Sequence, residues 1–476
     1  MSSPLVIRNL TSRPIEVKRC EYHGIAPSLS QGGFTNITQN VTSLFRNATS
    51  PTAPQVVEPT TSFVHEDVSI RIDPFKSLTT EIRPQSANET LHLIFETEGE
   101  QHRLETPTPT SNSTTLTPLA DNPRFNYTAV HLAEHCHLTL YSSANLSSWM
   151  RFFKDDTPLS ALSIPGTHNS PTCHRALPSV RCQATSPPEQ LDNGVRFFDI
   201  RVQPEAPLDP ANDRLILVHG VFPISLTGNK YLRDLLQEVY AFLDRNPTET
   251  VIMSLKREGT GNATDAQLSR ILRDHYAADS NRWFTAPRIP YLGEARGKIV
   301  LVRRFALEDA LKQEWGGAGW GIDAENWADN TPNATCPSGD VCVQDFYEVL
   351  ETVNIEKKIQ YSQEHLERAA KCVCSLPAQD QLATPPPKQP FFINFLTASN
   401  FWKVGCWPEK IAAKLNPAIV DFLCRKHHES ADQAESAGDG STGIVVCDWV
   451  GHKGNWDLVR CIVGMNAKLE MREHGL

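Results

Sequence analysis

The chain has 476 residues, of which 45 are Lys or Arg and 55 are Asp or Glu, so its formal net charge is −10 at pH 7. Hydrophobic residues make up 40% and charged residues 21%, which is typical of a globular protein and excludes collagen-like, coiled-coil and wholly disordered chains. The acidic balance and the absence of a basic run argue against a nucleic-acid partner, and no segment approaches the ~20 apolar residues of a membrane-spanning helix.

Residues 1–145 are rich in Thr, Ser and Pro and contain short alternating apolar runs separated by turn-forming clusters. This spacing is typical of a β-sandwich. Thr/Pro/Ser-rich segments at 47–62 and 105–120 predict long loops. The runs are at 5–11, 14–20, 62–72, 89–98, 128–134 and 136–142. We therefore predict an N-terminal β-sandwich domain over 1–145, without a catalytic cluster of its own and of unknown role.

From about residue 146 the pattern changes to short apolar runs that alternate with amphipathic helices, as in 230–247, 265–276 and 346–371. Apolar strands alternating with helices indicate a parallel sheet covered on both faces. Seven strands are predicted, and an eighth could lie near 319–325. The seven are in 161–170, 195–202, 214–220, 250–258, 298–305, 390–399 and 443–451. We predict an α/β fold over 146–476, a (β/α)8 TIM-type barrel with insertions. The alternative is an open doubly wound sheet, although no Gly-rich phosphate loop opens a helix.

Polar residues follow the predicted strands at their carboxyl ends, which converge on one mouth in a barrel. Two histidines can act as base and acid near neutral pH, and Arg and Lys can neutralise a phosphoryl group. The residues concerned are His168, Asn169, Asp199, Arg201, His219, Lys256, Arg303, Arg304 and Asp448. This combination indicates phosphodiester cleavage by an attacking hydroxyl, with no metal and no cofactor.

Eight motifs occur in the order found in bacterial-type phosphatidylinositol-specific phospholipase C, which residues 149–470 therefore resemble. They are SIPGTHNS (163–170), FDIR (198–201), LVHG (217–220), MSLK (253–256), GKIVLVRRF (297–305), VQDFY (343–347), FINF (392–395) and GIVVCD (443–448). A sandwich followed by a barrel is similar to the fungal phospholipase-C-like phosphodiesterases.

The resemblance implies a role for each matching residue. His168 would be the general base for the inositol 2-hydroxyl, oriented by Asp448, and His219 the acid that protonates the diacylglycerol oxygen. Arg201 would bind the phosphate oxygens, and Asp199 would complete the polar floor with a neighbouring lysine, Lys256.

The resemblance also implies inositol-binding residues. Arg304 and Asp345 would hydrogen-bond the hydroxyls, and Tyr347 would stack on the ring. Arg303 could replace Arg304, because adjacent strand residues face opposite sides. Asp345 could instead cap the following helix.

Asn169 departs from the bacterial pattern, which has Asp after the base histidine. The calcium-dependent eukaryotic phospholipases C have Asn there as a metal ligand, together with carboxylates on later strands. Here two of the corresponding positions carry Arg201 and Lys256, which would repel Ca²⁺. We therefore predict a metal-independent site with an altered Asn169.

The expected partner is a phosphatidylinositol-type lipid reached through peripheral membrane contact, and the expected state is a monomer. The segment at 399–410 follows a predicted strand and carries Trp402 and Trp407 near two lysines, a combination that favours an anionic interface. Alternatively, both tryptophans pack within the loop. Two further alternatives for function are an inactive lipid-binding scaffold and a phosphodiesterase acting on another headgroup.

Signals for the compartment conflict. The N-terminus lacks the pattern of a signal peptide, which predicts a cytoplasmic location by default. Twelve cysteines and ten glycosylation sequons would suit a secretory route, although the cysteines could equally be buried thiols. The sequons are at Asn9, Asn36, Asn40, Asn47, Asn88, Asn112, Asn126, Asn145, Asn262 and Asn333.

Overall fold

The computed structural model describes ten ranges of the chain. They are 3–23, 63–83, 91–106, 111–142, 145–209, 211–349, 352–374, 376, 389–428 and 438–475. The predicted loop at 47–62 and the sequons at Asn36, Asn40, Asn47 and Asn88 lie outside the described residues.

Two five-stranded sheets form the N-terminal part. The strands are β1 (Val6–Leu10), β2 (Ile15–His23), β3 (Phe63–Ile72), β4 (Ser77–Thr79), β5 (Leu91–Thr97), β6 (Glu100–Thr106), β7 (Ser113–Thr115), β8 (Thr117–Pro118), β9 (Thr128–Leu132) and β10 (His137–Tyr141). One sheet has the order β4-β1-β10-β9-β7 and the other β3-β2-β5-β6-β8. Inward-facing residues of both sheets, such as Ile7, Val17, Leu93 and Leu138, share one buried apolar cluster. This is the layering that a β-sandwich requires, and its assignment as a separate domain stays a prediction.

The predicted loop over 105–120 is wrong in part, because it contains the short strands β7 and β8. Both are rich in Thr, whose branched side chain suits strands. The Thr content that suggested a loop therefore also fits the short strands that end each sheet.

The second part of the chain contains the remaining strands and all ten α-helices found in the described ranges. The strands are β11 (Ile164–Thr167), β12 (Phe197–Pro204), β13 (Leu215–His219), β14 (Phe222–Pro223), β15 (Val251–Arg257), β16 (Trp283–Phe284), β17 (Ile299–Arg304), β18 (Ile322–Asp323), β19 (Ala334–Thr335), β20 (Val341–Gln344), β21 (Phe391–Phe395) and β22 (Ile444–Cys447). The helices are α1 (Pro187–Asp192), α2 (Leu232–Arg245), α3 (Asp265–His275), α4 (Leu292–Ala295), α5 (Asp309–Lys312), α6 (Glu314–Gly317), α7 (Thr352–Ala370), α8 (Pro408–Arg425), α9 (Asp457–Gly464) and α10 (Ala467–His474).

Nine strands of one sheet run parallel. Eight of them follow the order β18-β17-β15-β12-β11-β22-β21-β20, and the short strand β16 also pairs with β17. The last strand in the chain pairs with the first strand of this part, so the sheet curls back on its beginning. Within the described residues, no ladder joins β18 to β20. The observed fold is thus mixed α/β with a curled parallel sheet. Closure of this sheet into a barrel stays a prediction.

Two strand predictions need correction. The run at 214–220 forms β13, but it lies antiparallel to β12 instead of parallel. The parallel strand β20 was missed because its apolar run, 341–343, has only three residues and lies between Asp340 and Gln344. The predicted helix at 346–371 begins later, at Thr352. The two-residue strand β16 was missed as well.

The helix predictions at 230–247 and 265–276 agree with α2 and α3. Buried residues of α2, such as Leu232, Leu236 and Val239, lie on one face, as a 3.6-residue period requires. Helix α3 begins with a capping box between Thr264 and Gln267.

A buried arginine joins the N-terminal sheets to the C-terminal end of α8. The guanidinium of Arg8 on β1 donates to the carbonyls of Leu423 (3.4 Å), Cys424 (3.1 Å) and His427 (2.7 Å). The last carbonyls of a helix have no partner within the helix and carry partial negative charge. Arg8 therefore satisfies them where water cannot reach, and it fixes the N-terminal sheets against the curled sheet's helices.

All twelve cysteines lie in described residues and are free thiols, nine of them buried. Asn9 is fully buried and donates to two backbone carbonyls, whereas five further sequon asparagines are exposed: Asn112, Asn126, Asn145, Asn262 and Asn333. No described helix combines the length and the apolar character needed to cross a bilayer.

Arg8→Ala should lower the free energy of unfolding by about 2–4 kcal/mol, because it leaves buried carbonyls without a donor. Denaturant titration measures the loss. Arg71→Ala is the control, since Arg71 is exposed and pairs with an exposed Asp73; it should change stability by less than about 0.5 kcal/mol. Equal effects of the two variants would contradict the role assigned to Arg8.

Candidate active site

The predicted site residues meet at the carboxyl edge of the curled sheet, around a polar cavity of about 250 Å³. Each comes from the end of a strand or from the loop that follows it. The cavity is lined by His168, Arg201, His219, Lys256, Glu258, Arg304, Asp329, Asp345, Tyr347, Thr397, Ala398 and Ser399. Asp199, Asn169 and Asp448 lie behind this lining and contact it.

His168 and Asp448 form a buried pair at the ends of the adjacent strands β11 and β22. His168 Nδ1 lies 2.9 Å from Asp448 Oδ1. Burial, reinforced by Arg201, lowers the pKa of His168, and burial raises the pKa of Asp448. His168 is therefore uncharged at neutral pH, and with Nδ1–H donating to the carboxylate its Nε2 can accept a proton.

His219 faces His168 across the cavity, with ring centroids 5.5 Å apart and planes at 89°. Because β12 extends past β11 and β13 folds back along it, the hairpin returns His219 to the mouth despite the antiparallel direction. His219 Nδ1 donates to the Val180 carbonyl at 2.8 Å, which leaves Nε2 to exchange a proton. Burial and then Arg201 lower the pKa of His219 to about 4.

Two arginines and two carboxylates alternate across the cavity floor. Arg201 donates to Asp199 Oδ2 (3.3 Å) and Glu258 Oε1 (3.1 Å), and Arg304 donates to Asp199 Oδ1 (3.4 Å). Burial alone would raise the pKa of Asp199, but Arg201 and Arg304 hold it below its ordinary value. Lys256 Nζ lies 3.0 Å from Glu258, so every cation on the floor has a fixed carboxylate partner.

Glu258 is the site residue that the sequence analysis missed. It also accepts a hydrogen bond from the Gly220 amide at 2.8 Å, beside His219. Burial would raise the pKa of Glu258, but Arg201 and Lys256 lower it to about 2. Its position two residues after Lys256, on the same side of an extended chain, was the signal available in the sequence.

The adjacent arginines of β17 point in opposite directions. Arg304 lies over the Trp327 ring (3.6 Å) and 4.0 Å from Asp345. Arg303 pairs with two carboxylates, Asp323 and Glu325, on the other face. Of the two alternatives, Arg304 is the arginine in the cavity.

Tyr347 lines the cavity, and its hydroxyl donates to Asp329 at 2.9 Å. Asp345 also lines it with a side chain that is 13% exposed. Burial raises the pKa of Asp345 against the opposing charge of Arg304. Both residues therefore offer hydrogen-bonding groups to the cavity.

Asn169 is buried and adopts a left-handed φ of 43°. The backbone N–H of Asn169 donates to Asp199 Oδ2 at 3.3 Å, and its side-chain Nδ2 lies 3.5 Å from His168 Nε2. It therefore supports both the carboxylate and the base histidine.

The residues around Asn169 do not fit calcium. Ca²⁺ takes six to eight oxygen ligands, but Asp199 and Glu258 are bound to guanidinium groups, and Lys256 adds another cation. A calcium ion there would be surrounded by positive charge.

Trp402 and Trp407 differ in placement. Trp402 is 87% exposed, whereas Trp407 is half-buried and donates its indole N–H to the Phe401 carbonyl at 3.2 Å. Two segments of the chain bring together four apolar side chains, which we call the apolar rim: Val221, Phe222, Phe401 and Trp402. The rings of Phe222 and Phe401 stack with their centroids 5.4 Å apart. The rim borders a groove of about 460 Å³ that opens beside His219.

Comparison with known proteins finds relatives of one kind. The model of the family "Phosphatidylinositol-specific phospholipase C, X domain" matches residues 156–305. The 1-phosphatidylinositol phosphodiesterase of Staphylococcus aureus is 26% identical over 336 residues, 68% of this chain and 95% of that protein. The enzyme of the same name from Listeria monocytogenes is 35% identical over 170 residues, 34% of this chain and half the length of that protein.

Solved structures show the same likeness. A double mutant of the S. aureus phosphatidylinositol-specific phospholipase C matches with a TM-score of 0.51 and 25% identity, covering 68% of this chain and 97% of that one. A second S. aureus structure comes from work on modulation of the membrane binding of that enzyme. It matches with a TM-score of 0.52 and 25% identity, covering 68% of this chain and 98% of that one.

The comparisons thus support a phosphodiesterase similar to the phospholipase C enzymes, and the roles of the two histidines stay predictions. Residues 156–305 match the X domain of phosphatidylinositol-specific phospholipase C, and the chain is similar to the bacterial enzymes over about two thirds of its length. The predicted family and enzyme class are confirmed. The fungal likeness and the role of residues 1–145, which lie outside the family match, stay predictions.

Glu258→Gln should lower the free energy of unfolding at pH 7 by about 3 kcal/mol. The folded pKa of about 2 lies below the ordinary 4.5, so the stabilisation is present above the ordinary value and is lost as the pH falls through the folded one. The difference between wild type and variant should therefore shrink from about pH 5 to about pH 2. Denaturant titrations across this range test it, with Glu409→Gln, at an exposed position, as control. A difference independent of pH would contradict the assigned charge network.

Proposed function

We propose that the protein cleaves phosphatidylinositol, or a glycosylated relative, to diacylglycerol and a cyclic inositol phosphate, using His168 and His219 without a metal ion. The observation that carries the proposal is the pair of histidines facing each other across a cavity whose floor presents a carboxylate-fixed arginine. Such a site can remove one proton, deliver another and bind the phosphate between them.

In the first step, His168 Nε2 takes the proton from the inositol 2-hydroxyl, and that oxygen attacks phosphorus. The imidazolium that forms keeps its Nδ1–H bond to Asp448 Oδ1. A buried carboxylate in this position orients the ring and stabilises its cation.

Arg201 would bind the phosphate oxygens as negative charge develops on them. Asp199 and Glu258 hold its guanidinium from two sides, so little rearrangement is needed when substrate binds. Preorganised charge of this kind is usually the largest contribution to catalysis.

His219 would protonate the diacylglycerol oxygen as its bond to phosphorus breaks. Arg201 helps to lower the pKa of His219 in the free protein, and a bound phosphate anion would oppose that effect and favour the cation. With Nδ1–H held by Val180, the proton would leave from Nε2. The cyclic phosphodiester is then the first product.

Arg304, Asp345 and Tyr347 would bind the inositol ring. They line the same cavity as the histidines, and a space of about 250 Å³ suits one sugar-sized ring. The larger apolar groove beside His219 would then receive the glycerol end of the lipid, on the side of the leaving group.

Membrane contact would occur through the apolar rim. Exposed aromatic residues favour the headgroup region, and this rim borders the groove next to the acid histidine. We infer that Trp402 enters the interface, whereas Trp407 packs within its loop.

We also infer that the curled sheet closes as a (β/α)8 barrel over 146–476, that residues 1–145 form a separate sandwich domain and that the protein is a monomer. An inactive lipid-binding scaffold is not favoured, because an unused site has no need of paired histidines and a complete charge network.

His168→Ala and His219→Ala should each reduce phosphatidylinositol cleavage by at least about 10²–10⁴-fold, the usual contribution of acid–base catalysis. The purified variants are assayed with phosphatidylinositol vesicles after thermal unfolding has shown that they are folded. His135→Ala serves as control, because His135 is half-exposed and outside the cavity. A wild-type rate in either active-site variant would refute its role.

Trp402→Ala should weaken binding to phosphatidylinositol-containing vesicles and leave cleavage of a short-chain monomeric substrate nearly unchanged. Vesicle sedimentation and the two assays measure this. Trp315→Ala, at an exposed tryptophan outside the apolar rim, should affect neither. An equal loss on both substrates would contradict the interfacial role.

A further inference from the structure

Cys182 is a buried thiol beside the two histidines, and the proposed mechanism does not use it. Its Sγ lies 3.7 Å from His219 Nδ1. Each of His168, Cys182 and His219 offers one ligand atom, and these three atoms all lie within 4.8 Å of one another. The three residues come from separate segments of the chain, so their spacing in the sequence does not indicate the cluster.

Two imidazoles and one thiolate are a ligand set of zinc and of related borderline-soft cations. Zinc takes such ligands at about 2.0–2.3 Å in a tetrahedral arrangement, and three protein ligands leave one position open. The observed spacing needs a contraction of about 1 Å to reach those distances. The open position would face the cavity, where water or an anion can bind.

Two features prepare the site. Asp448 holds His168 through Nδ1, and a carboxylate on one ring nitrogen commonly orients the other nitrogen toward a metal. The Val180 carbonyl accepts hydrogen bonds from both Cys182 Sγ (3.4 Å) and His219 Nδ1 (2.8 Å). The metal-free protein thus keeps these two ligand atoms together through one shared acceptor.

We propose that His168, Cys182 and His219 bind Zn²⁺ as an inhibitory cation that blocks the active site. On binding, the thiol proton leaves to solvent and a sulfur–zinc bond forms. The Nδ1 proton of His219 passes through solvent to Nε2, so that Nδ1 gives its lone pair to the ion, and His168 gives the lone pair of Nε2. A metal-bound imidazole cannot become an imidazolium, so neither histidine can then act as base or acid. The inhibitory effect rests on the proposed function, whereas binding does not.

The experiment uses the reduced full-length protein, freed of metal by chelator and buffer exchange, with Co²⁺ as a spectroscopic probe for zinc. Co²⁺ should give a thiolate-to-metal charge-transfer band with a stoichiometry of one, and Zn²⁺ should remove it. Cys182→Ser should lose the band, and Cys173→Ser, which changes a thiol outside the cluster, should keep it. His219→Gln should weaken Co²⁺ binding.

In the cleavage assay, Zn²⁺ should inhibit wild type and Cys173→Ser, and excess chelator should restore activity. Cys182→Ser should need at least about 10- to 100-fold more Zn²⁺ for the same inhibition. Absence of the cobalt band in wild type, or a band that survives in Cys182→Ser, would overturn the proposal. Equal inhibition of wild type and Cys182→Ser would also overturn it. If the wild type does not cleave phosphatidylinositol, the proposed function fails, and the cobalt spectra still decide whether the cation binds.

Discussion

The buried carboxylate of Asp199 is the interaction on which the site depends. It lies on β12, near the middle of the curled sheet, and its two oxygens accept from Arg201 and Arg304. A lone buried carboxylate would be costly, and so would either arginine without a partner. Together they form a rigid group of alternating charge, and the Asn169 amide adds one more donor to it.

This arrangement explains how the site could bind a phosphodiester without a divalent cation. Arg201 already lies between Asp199 and Glu258, so positive charge is present in the cavity before the substrate arrives. The same carboxylates would be the natural calcium ligands, but they are occupied. Asn169 fits this scheme because its backbone amide, rather than a negatively charged side chain, supports the network.

The sequence predicted the parts of the fold that repeat. Helices α2 and α3 follow from their apolar period and caps. Six parallel strands follow from their apolar runs, and β18 lies where a further strand was suggested. Direction does not follow from such a run: β13 is as apolar as its neighbours, but its hydrogen bonds to β12 make it antiparallel. Strand β20 shows the opposite error, because its apolar run at 341–343 has only three residues between polar neighbours.

For the site, too, the sequence predicted some residues and missed others. The histidines, Arg201 and Asp448 were predicted from their positions at strand ends, and Arg304 was predicted from the resemblance. The structure distinguishes Arg304 from Arg303 by the face of β17 on which each lies. Glu258 was missed because its importance comes from contacts with two residues distant in sequence, Arg201 and Gly220. Its neighbour Lys256 pairs with the same oxygen that Arg201 contacts. Cys182 likewise gains its position only when the loop before α1 folds against His219.

The most direct test of the account is phosphorus NMR of the products formed from phosphatidylinositol vesicles in the presence of excess chelator. The account predicts full activity and a cyclic inositol phosphodiester as the first product. Loss of activity on chelation that added Ca²⁺ restores, or an acyclic phosphomonoester as the first product, would contradict it.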